Sequence, residues 1–249
     1  MSEAMYYERP VLLEREKHRG WRVKTSSNYA FARGANSVHV AGVEFPEAMK
    51  EYAIVFTRGA NKKISPVVML GLRMRENLFV DAQGQWDASY IPAFVRRYPF
   101  VLAQLDDSNL GVCIDEAYAG FNDREGEALF DAQGGNTPFL ANALEFLEKY
   151  QKEFHRTALF CQRLDEAGLL REMTAKVDLH DGHDITMTGL LVVDEPRLMA
   201  LPDATVLSMF RSGELHLVAM HLASLSNMHR LVQRVAQNRA SVQPAPLPG

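Results

Sequence analysis

Leu78-Phe79-Val80-Asp81-Ala82-Gln83-Gly84 returns in shortened form as Leu129-Phe130-Asp131-Ala132-Gln133-Gly134. Each copy is an apolar run closed by an Asp-x-x-Gly turn, the residue types that tight reversals favour. Each is followed by a Pro-containing helix start, Tyr90-Ile91-Pro92 after the first and Asn136-Thr137-Pro138 after the second. The phrase is too short and too irregular for a solenoid repeat. It reads as two strand–turn–helix junctions that bracket an acidic segment.

The stretches around the first copy read as short strands. Ser37-Val38-His39-Val40 ends at Ala41-Gly42, and Pro46 opens a short helix over Glu47–Tyr52. Ala53–Thr57 and Ile64–Leu70 flank a Gly/Asn turn, a hairpin signal. Pro66 confines the start of the second of these strands to an edge or entry position. Asn77–Val80 reads as a strand and Ile91–Tyr98 as a helix with Pro92 in its first turn, ended by Pro99. Phe100–Leu105 and Asn109–Asp115 form another candidate hairpin around Asp106-Asp107-Ser108.

After the second copy, Thr137 can cap and Pro138 can open a helix that runs to about Ala167. Leu140, Leu144, Leu147, Phe154, Leu159 and Leu164 recur at helical spacing, and Gly168 is a natural stop. Ala175–Leu179 and Ile185–Met187 alternate around Asp181-Gly182, a hairpin continued by Leu190–Val193 and broken at Asp194-Glu195-Pro196. Helices follow over Asp203–Arg211, stopped by Gly213, and over Leu215–Gln237.

These elements predict an α+β fold: antiparallel hairpins in the N-terminal part, one long central helix, then a β-hairpin and C-terminal helices. No Gly/Ser or charged linker divides the chain, so residues 1–239 are expected to form one domain. Residues 240–249, rich in proline and without apolar periodicity, are expected to be a disordered tail.

The chain has 249 residues, 47% of them hydrophobic, enough for a sizeable core without staples. A net charge of −4 points away from nucleic acid and anionic membranes as partners. Cys113 and Cys161 lack the spacing of a disulfide framework or a zinc cluster and read as buried free thiols. No stretch approaches the ~18 consecutive apolar residues of a membrane span, and the N-terminus shows no apolar signal region. The expected location is the cytoplasm.

Few constellations offer chemistry. His180-Asp181-Gly182-His183-Asp184 sets His180, His183 and Asp184 within reach of one metal ion across a two-residue turn. A hairpin tip that keeps Asp-Gly for its backbone angles accounts for the same residues. The segment from Asp106 to Asp131 can offer oxygen ligands or face a basic partner, but Asn122–Glu127 departs from the EF-hand pattern. Arg96, Arg97 and Tyr98, with Trp86 and Tyr90 nearby, read either as an anion-binding or stacking site or as ion-pair partners of the acidic segment. His221 falls on an apolar helix face with Val218, Leu225 and Val232, where a satisfied core histidine is the plainer reading. There is no G-x-S-x-G, Walker A or G-x-G-x-x-G motif, and no cofactor is named by the sequence.

Many of these phrases, taken in order, resemble the SapC family of bacterial proteins. They include Ala41-Gly42-Val43-Glu44-Phe45, Glu76 through Gly84, Tyr90 through Phe100, Cys113-Ile114-Asp115-Glu116, Gly126 through Asp131, Thr137-Pro138-Phe139-Leu140 and Gly189 through Glu195. His221-Leu222, Ser224-Leu225 and Asn227 close the series, so the likeness spans about residues 5–235. The resemblance implies an association with bacterial surface systems. The family takes its name from a surface-layer locus beside secretion genes, and relatives lie near outer-membrane nutrient receptors and flavin-dependent halogenase-like genes. It carries over no catalytic residues, and the His180–Asp184 cluster is outside its pattern. The unrelated peptide-transport permease of the same name is excluded by the lack of a spanning segment.

The expected function is therefore that of a soluble accessory protein acting through a protein partner or a ligand. The alternative is an enzyme that modifies a peptide or small molecule, with or without a metal. The ligand- or partner-binding candidates are Trp86, Tyr90, Arg96, Arg97, Tyr98, Asp115, Glu116 and Tyr118.

Overall fold

The computed structural model describes residues 6–104, 110–178 and 184–240. In chain order the first elements are β1 (Pro10–Leu12), α1 (Arg15–His18), β2 (Arg22–Val23), β3 (Ser37–His39), α2 (Phe45–Ala48), β4 (Ile54–Arg58) and β5 (Ile64–Met69). Then come α3 (Ala93–Arg96), β6 (Phe100–Gln104), β7 (Leu110–Asp115), β8 (Phe121–Asn122), β9 (Glu127–Ala128) and α4 (Pro138–Glu166). The last are β10 (Leu170–Asp178), β11 (Asp184–Val193), α5 (Glu195–Met199), α6 (Asp203–Arg211), α7 (Glu214–Ser224) and α8 (Met228–Ala240). This is an α+β fold with antiparallel sheets and a long central helix.

The main sheet has the order β10-β11-β4-β5-β3, antiparallel at every step. Ile54, Val55, Phe56, Val67 and Val68 are buried, so the β4–β5 hairpin is covered on both faces. β3 registers only with Val67–Met69, which leaves the Pro66 half of β5 without a second strand ladder. The 29 residues of α4, about 43 Å at ~1.5 Å per residue, lie along β5 and bury Tyr150, Phe160, Cys161 and Leu164. Thr137 accepts the Leu140 N–H as its cap, and Gly168 ends it at φ +63°. A second, smaller core of Val23, Phe100, Ile114, Leu129, Phe130, Leu140 and Leu147 lies near the start of α4. Sheets of order β1-β7-β6 and β8-β2-β9 contribute to it.

Several elements differ from the sequence reading. The Ile91–Tyr98 helix contracts to α3 with Pro92 as its cap residue, and the short helix at Pro46 occupies Phe45–Ala48. Asn77–Val80 is no strand; among the described residues its only ladder contact is the bridge from Val80 to Trp86. The expected Leu215–Gln237 helix is α7 and α8, separated by a 3-10 turn at Leu225–Asn227. Side chains explain the break. Ser224 Oγ accepts from Ile54 N in β4, and Asn227 Nδ2 donates to Met49 O and Tyr52 O, so both serve main chain outside α7 and α8. β1, β2, β8 and β9 have no counterpart in the sequence reading, because they are too short for alternation to register.

The repeated phrase builds one turn twice. Asp81 Oδ1 accepts from Gln83 N and Gln85 N, and Asp131 Oδ1 accepts from Gln133 N and Gly135 N. Each Asp N–H donates four residues ahead, to Gln85 O and Gly135 O. Gly84 and Gly134 close the turns at φ +85° and +82°. The antiparallel bridges Val80–Trp86 and Phe130–Asn136 complete the match.

Candidate functional site

The stretch that leads into α3 is fixed by Glu44. Its buried carboxylate accepts from Tyr90 OH and Ala93 N, both at 2.7 Å, and from Ala41 N at 2.8 Å. Ala93 is the first residue of α3, so Glu44 satisfies one of the free N–H groups of that helix from across the fold. Trp86 Nε1 donates to Tyr52 OH at 2.8 Å, and Tyr52 OH in turn donates to Tyr90 O. Burial pushes the phenols of Tyr52 and Tyr90 above their ordinary range. Trp86 and Tyr90 are thus parts of a hydrogen-bonded scaffold behind α3.

Asp115, at the end of β7, is fully buried. Its carboxylate accepts from Glu8 N, Arg9 N and Ala117 N at 2.9–3.1 Å and from Tyr98 OH at 3.1 Å. Burial, reinforced by this carboxylate, raises the Tyr98 phenol. Glu116 meets Lys17 at 2.7 Å and Arg9 and His18 at 3.3 Å. The Lys17 hydrogen bond leads in holding its carboxyl below the usual range. Both acids tie β1 and α1 to the end of β7.

The other candidates converge on a cavity of about 410 Å³. Arg96, Arg97, Tyr98 and Tyr118 line it, together with residues that the sequence alone does not single out. Segment 25–31 supplies Thr25, Ser26, Asn28, Tyr29 and Phe31, and α4 supplies Phe139, Asn142, Ala143, Phe146 and Leu147. Phe31 stacks on Tyr98 at 4.1 Å with 23° between the rings, and Tyr98 meets Tyr118 edge-on at 5.4 Å. The exposed Arg96 guanidinium lies 5.3 Å from the Phe146 ring centre and 5.8 Å from that of Tyr90. Arg97 is buried, with its guanidinium over Phe94 at 4.1 Å and Tyr150 at 5.2 Å. A second cavity of about 470 Å³ shares Thr25, Ser26, Asn28, Phe31, Tyr98 and Tyr118 with the first and continues toward Lys24 and Gly120.

The two turns of the repeated phrase stand in different relations to this cavity. Gly84 O accepts from Tyr29 N at 2.7 Å and thereby anchors the 25–31 wall, while the second turn leads into the α4 cap. Trp86, Tyr90, Asp115 and Glu116 do not line it. The α4 lining did leave a trace in the sequence. Phe139, Asn142, Ala143 and Phe146 follow i, i+3, i+4, i+7 spacing beside the Leu140–Leu144–Leu147 core stripe. Segment 25–31 left none, being a polar loop with two aromatic residues at its end.

Outside the cavity, His221 is fully buried between strands of the main sheet. Its Nδ1–H donates to Ile54 O at 2.8 Å and its Nε2 accepts from Val193 N at 3.1 Å, so it is a satisfied core residue. Burial brings its pKa from 6.5 down to about 4. Cys113 and Cys161 are buried and unpaired. Among the described residues no group of three His, Cys, Asp or Glu side chains is placed to hold a metal ion. His180 and His183 lie outside the described residues; Asp184 is the exposed first residue of β11. No described helix is long and apolar enough to cross a membrane.

Comparison with curated proteins and with solved structures finds no match. The family model of SapC matches residues 13–231, a span that contains both turns, all of α3 and α4, and every residue lining the cavity. The chain belongs to the SapC family.

Proposed function

We propose that this SapC-family protein is a cytoplasmic accessory protein of a bacterial surface-layer, secretion or outer-membrane-receptor-linked system. It acts by binding, and the cavity between Phe31, Tyr98 and Phe146 is where it engages its partner or ligand. One observation carries the reading. Asp115 and Glu116 are spent on architecture, Asp115 by its backbone and Tyr98 donors and Glu116 by its cations, while the cavity itself presents aromatic faces and arginine and is lined by no acid. Such a lining recognises a shape and a charge. The unpaired thiols Cys113 and Cys161 fit a reducing compartment.

Affinity capture from the native host tests this. The wild-type chain should recover a component of an envelope or receptor system. Ala143→Trp, which fills the cavity from α4, should lose it while melting as the wild type does. Recovery of housekeeping proteins alone by both chains would sink the proposal.

A further inference from the structure

We infer that the cavity takes an organic anion with a flat apolar body, a carboxylate on a fused-ring or similarly planar frame. The inference rests on the binding role proposed above and names the class of ligand.

Charge decides the first half. Among the described residues the only charged side chains lining the cavity are Arg96 and Arg97, and no acid lines it. The Arg96 Nε–H donates to Ile91 O at 2.9 Å, which sets the plane of the guanidinium. Among the described residues no carboxylate lies within ion-pair distance of it, although Glu and Asp side chains elsewhere pair with Arg9, Arg58, Arg73, Arg163 and Arg234. A guanidinium held beside an apolar cavity presents a planar donor fork that matches a carboxylate.

Shape decides the second half. The stacked rings of Phe31 and Tyr98 line the cavity, and so does Phe146, with the Arg96 guanidinium over its ring. Ring faces set in this way accept a planar body by offset or edge contacts. Asn28, Asn142, Thr25 and Ser26 add neutral donors and acceptors at the rim without altering the charge. A volume of about 410 Å³ holds a two- or three-ring anion.

The test uses the full chain and isosteric probes, 2-naphthoate and the neutral 2-naphthamide, in titration calorimetry. The acid should bind at one site about tenfold more tightly than the amide, as a charge-assisted pair predicts. Arg96→Gln should erase that preference by weakening acid binding far more than amide binding, which a merely structural role for Arg96, weakening both alike, would not do. Added salt should narrow the preference. Ala143→Trp should abolish binding of both probes.

Equal affinities for acid and amide, or an acid preference that survives in Arg96→Gln, would overturn the inference. Failure of both probes to bind would overturn it too. If host capture still depended on Ala143 in that case, the cavity would be a protein-docking site and the accessory role would stand alone. Selective naphthoate binding with no envelope partner captured would leave the ligand class standing and remove the accessory role.

Discussion

The layer beneath the main sheet and the cavity beside α3 both set polar side chains among aromatic rings, and they dispose of them in opposite ways. Beneath the sheet, His221 bonds Ile54 O and Val193 N, Ser224 bonds Ile54 N and His221 O, and Asn227 bonds Met49 O and Tyr52 O. Every one of these partners is main chain, so the polar groups fasten α7 to β4 and β11 and the following turn to the segment between α2 and β4. In the cavity, the Arg96 charge has no acid within ion-pair distance among the described residues, and the rings around it leave space. Matched polarity is architecture. Polarity left facing a cavity is the mark of recognition.

This contrast should break first at His221. His221→Leu keeps much of the volume but strands the Ile54 carbonyl and the Val193 N–H, at a cost of about 3 kcal/mol at pH 7. The wild-type contribution is also pH-dependent. An unfolded chain protonates this imidazole below about pH 6.5, whereas the native chain resists until about pH 4. The native advantage is complete above pH 6.5 and is lost as pH falls toward 4, by up to about 3 kcal/mol. Urea unfolding at pH 7 and pH 4.5 should therefore show the gap between wild type and His221→Leu closing in acid. Parallel curves would mean that the fold does not hold His221 neutral. Naphthoate affinity at pH 7 should be untouched.

Glu44 is buried like His221 yet bears on the cavity through α3, so it should show both effects. Glu44→Ala removes the acceptor for Ala41 N, Tyr90 OH and Ala93 N, a loss of about 2–3 kcal/mol. Because α3 carries Arg96 and Arg97 toward the cavity, probe binding should weaken as well. A destabilised variant with unchanged naphthoate affinity would show that α3 holds its place without Glu44.

Long-period and turn signals made much of the fold legible. Thr137-Pro138 and Gly168 bound α4 because a cap, an N1 proline and a C′ glycine each act locally. The β4–β5 and β10–β11 hairpins follow from β-branched runs around turn residues. The break at Leu225–Asn227 was hidden, because Ser224 and Asn227 act through partners more than 160 residues away in sequence. For the site, Arg96, Arg97, Tyr98 and Tyr118 stood out as polar and aromatic residues in family-like phrases. Asp115 and Glu116 stand out for the same reason and are bonded to main chain and cations, a state that sequence does not distinguish from an acid awaiting a ligand. The 25–31 wall is placed by a hydrogen bond to a distant turn, and no local pattern announces that.

The two Asp-Ala-Gln-Gly turns provide the finest version of the comparison, because their internal bonds match and their neighbours do not. A Cβ on Gly84 would lie 2.3 Å from Asn28 Oδ1, the atom that accepts Ala30 N, whereas a Cβ on Gly134 would first meet Arg15 Cδ at 3.1 Å. Both glycines carry positive φ, which costs an alanine about 1 kcal/mol. Arg15 is an exposed, flexible side chain that can yield, so Gly134→Ala should stop near that figure. Gly84→Ala must also expel the Asn28 side chain and should cost about 2–3 kcal/mol. It should weaken naphthoate binding too, because Asn28 and Tyr29 line the cavity and Tyr29 N is held by Gly84 O. Equal costs and equal affinities for the two alanine variants would mean that the turns are interchangeable clasps. Unequal ones would show that a single local structure, used twice, serves the core at one place and the cavity wall at the other.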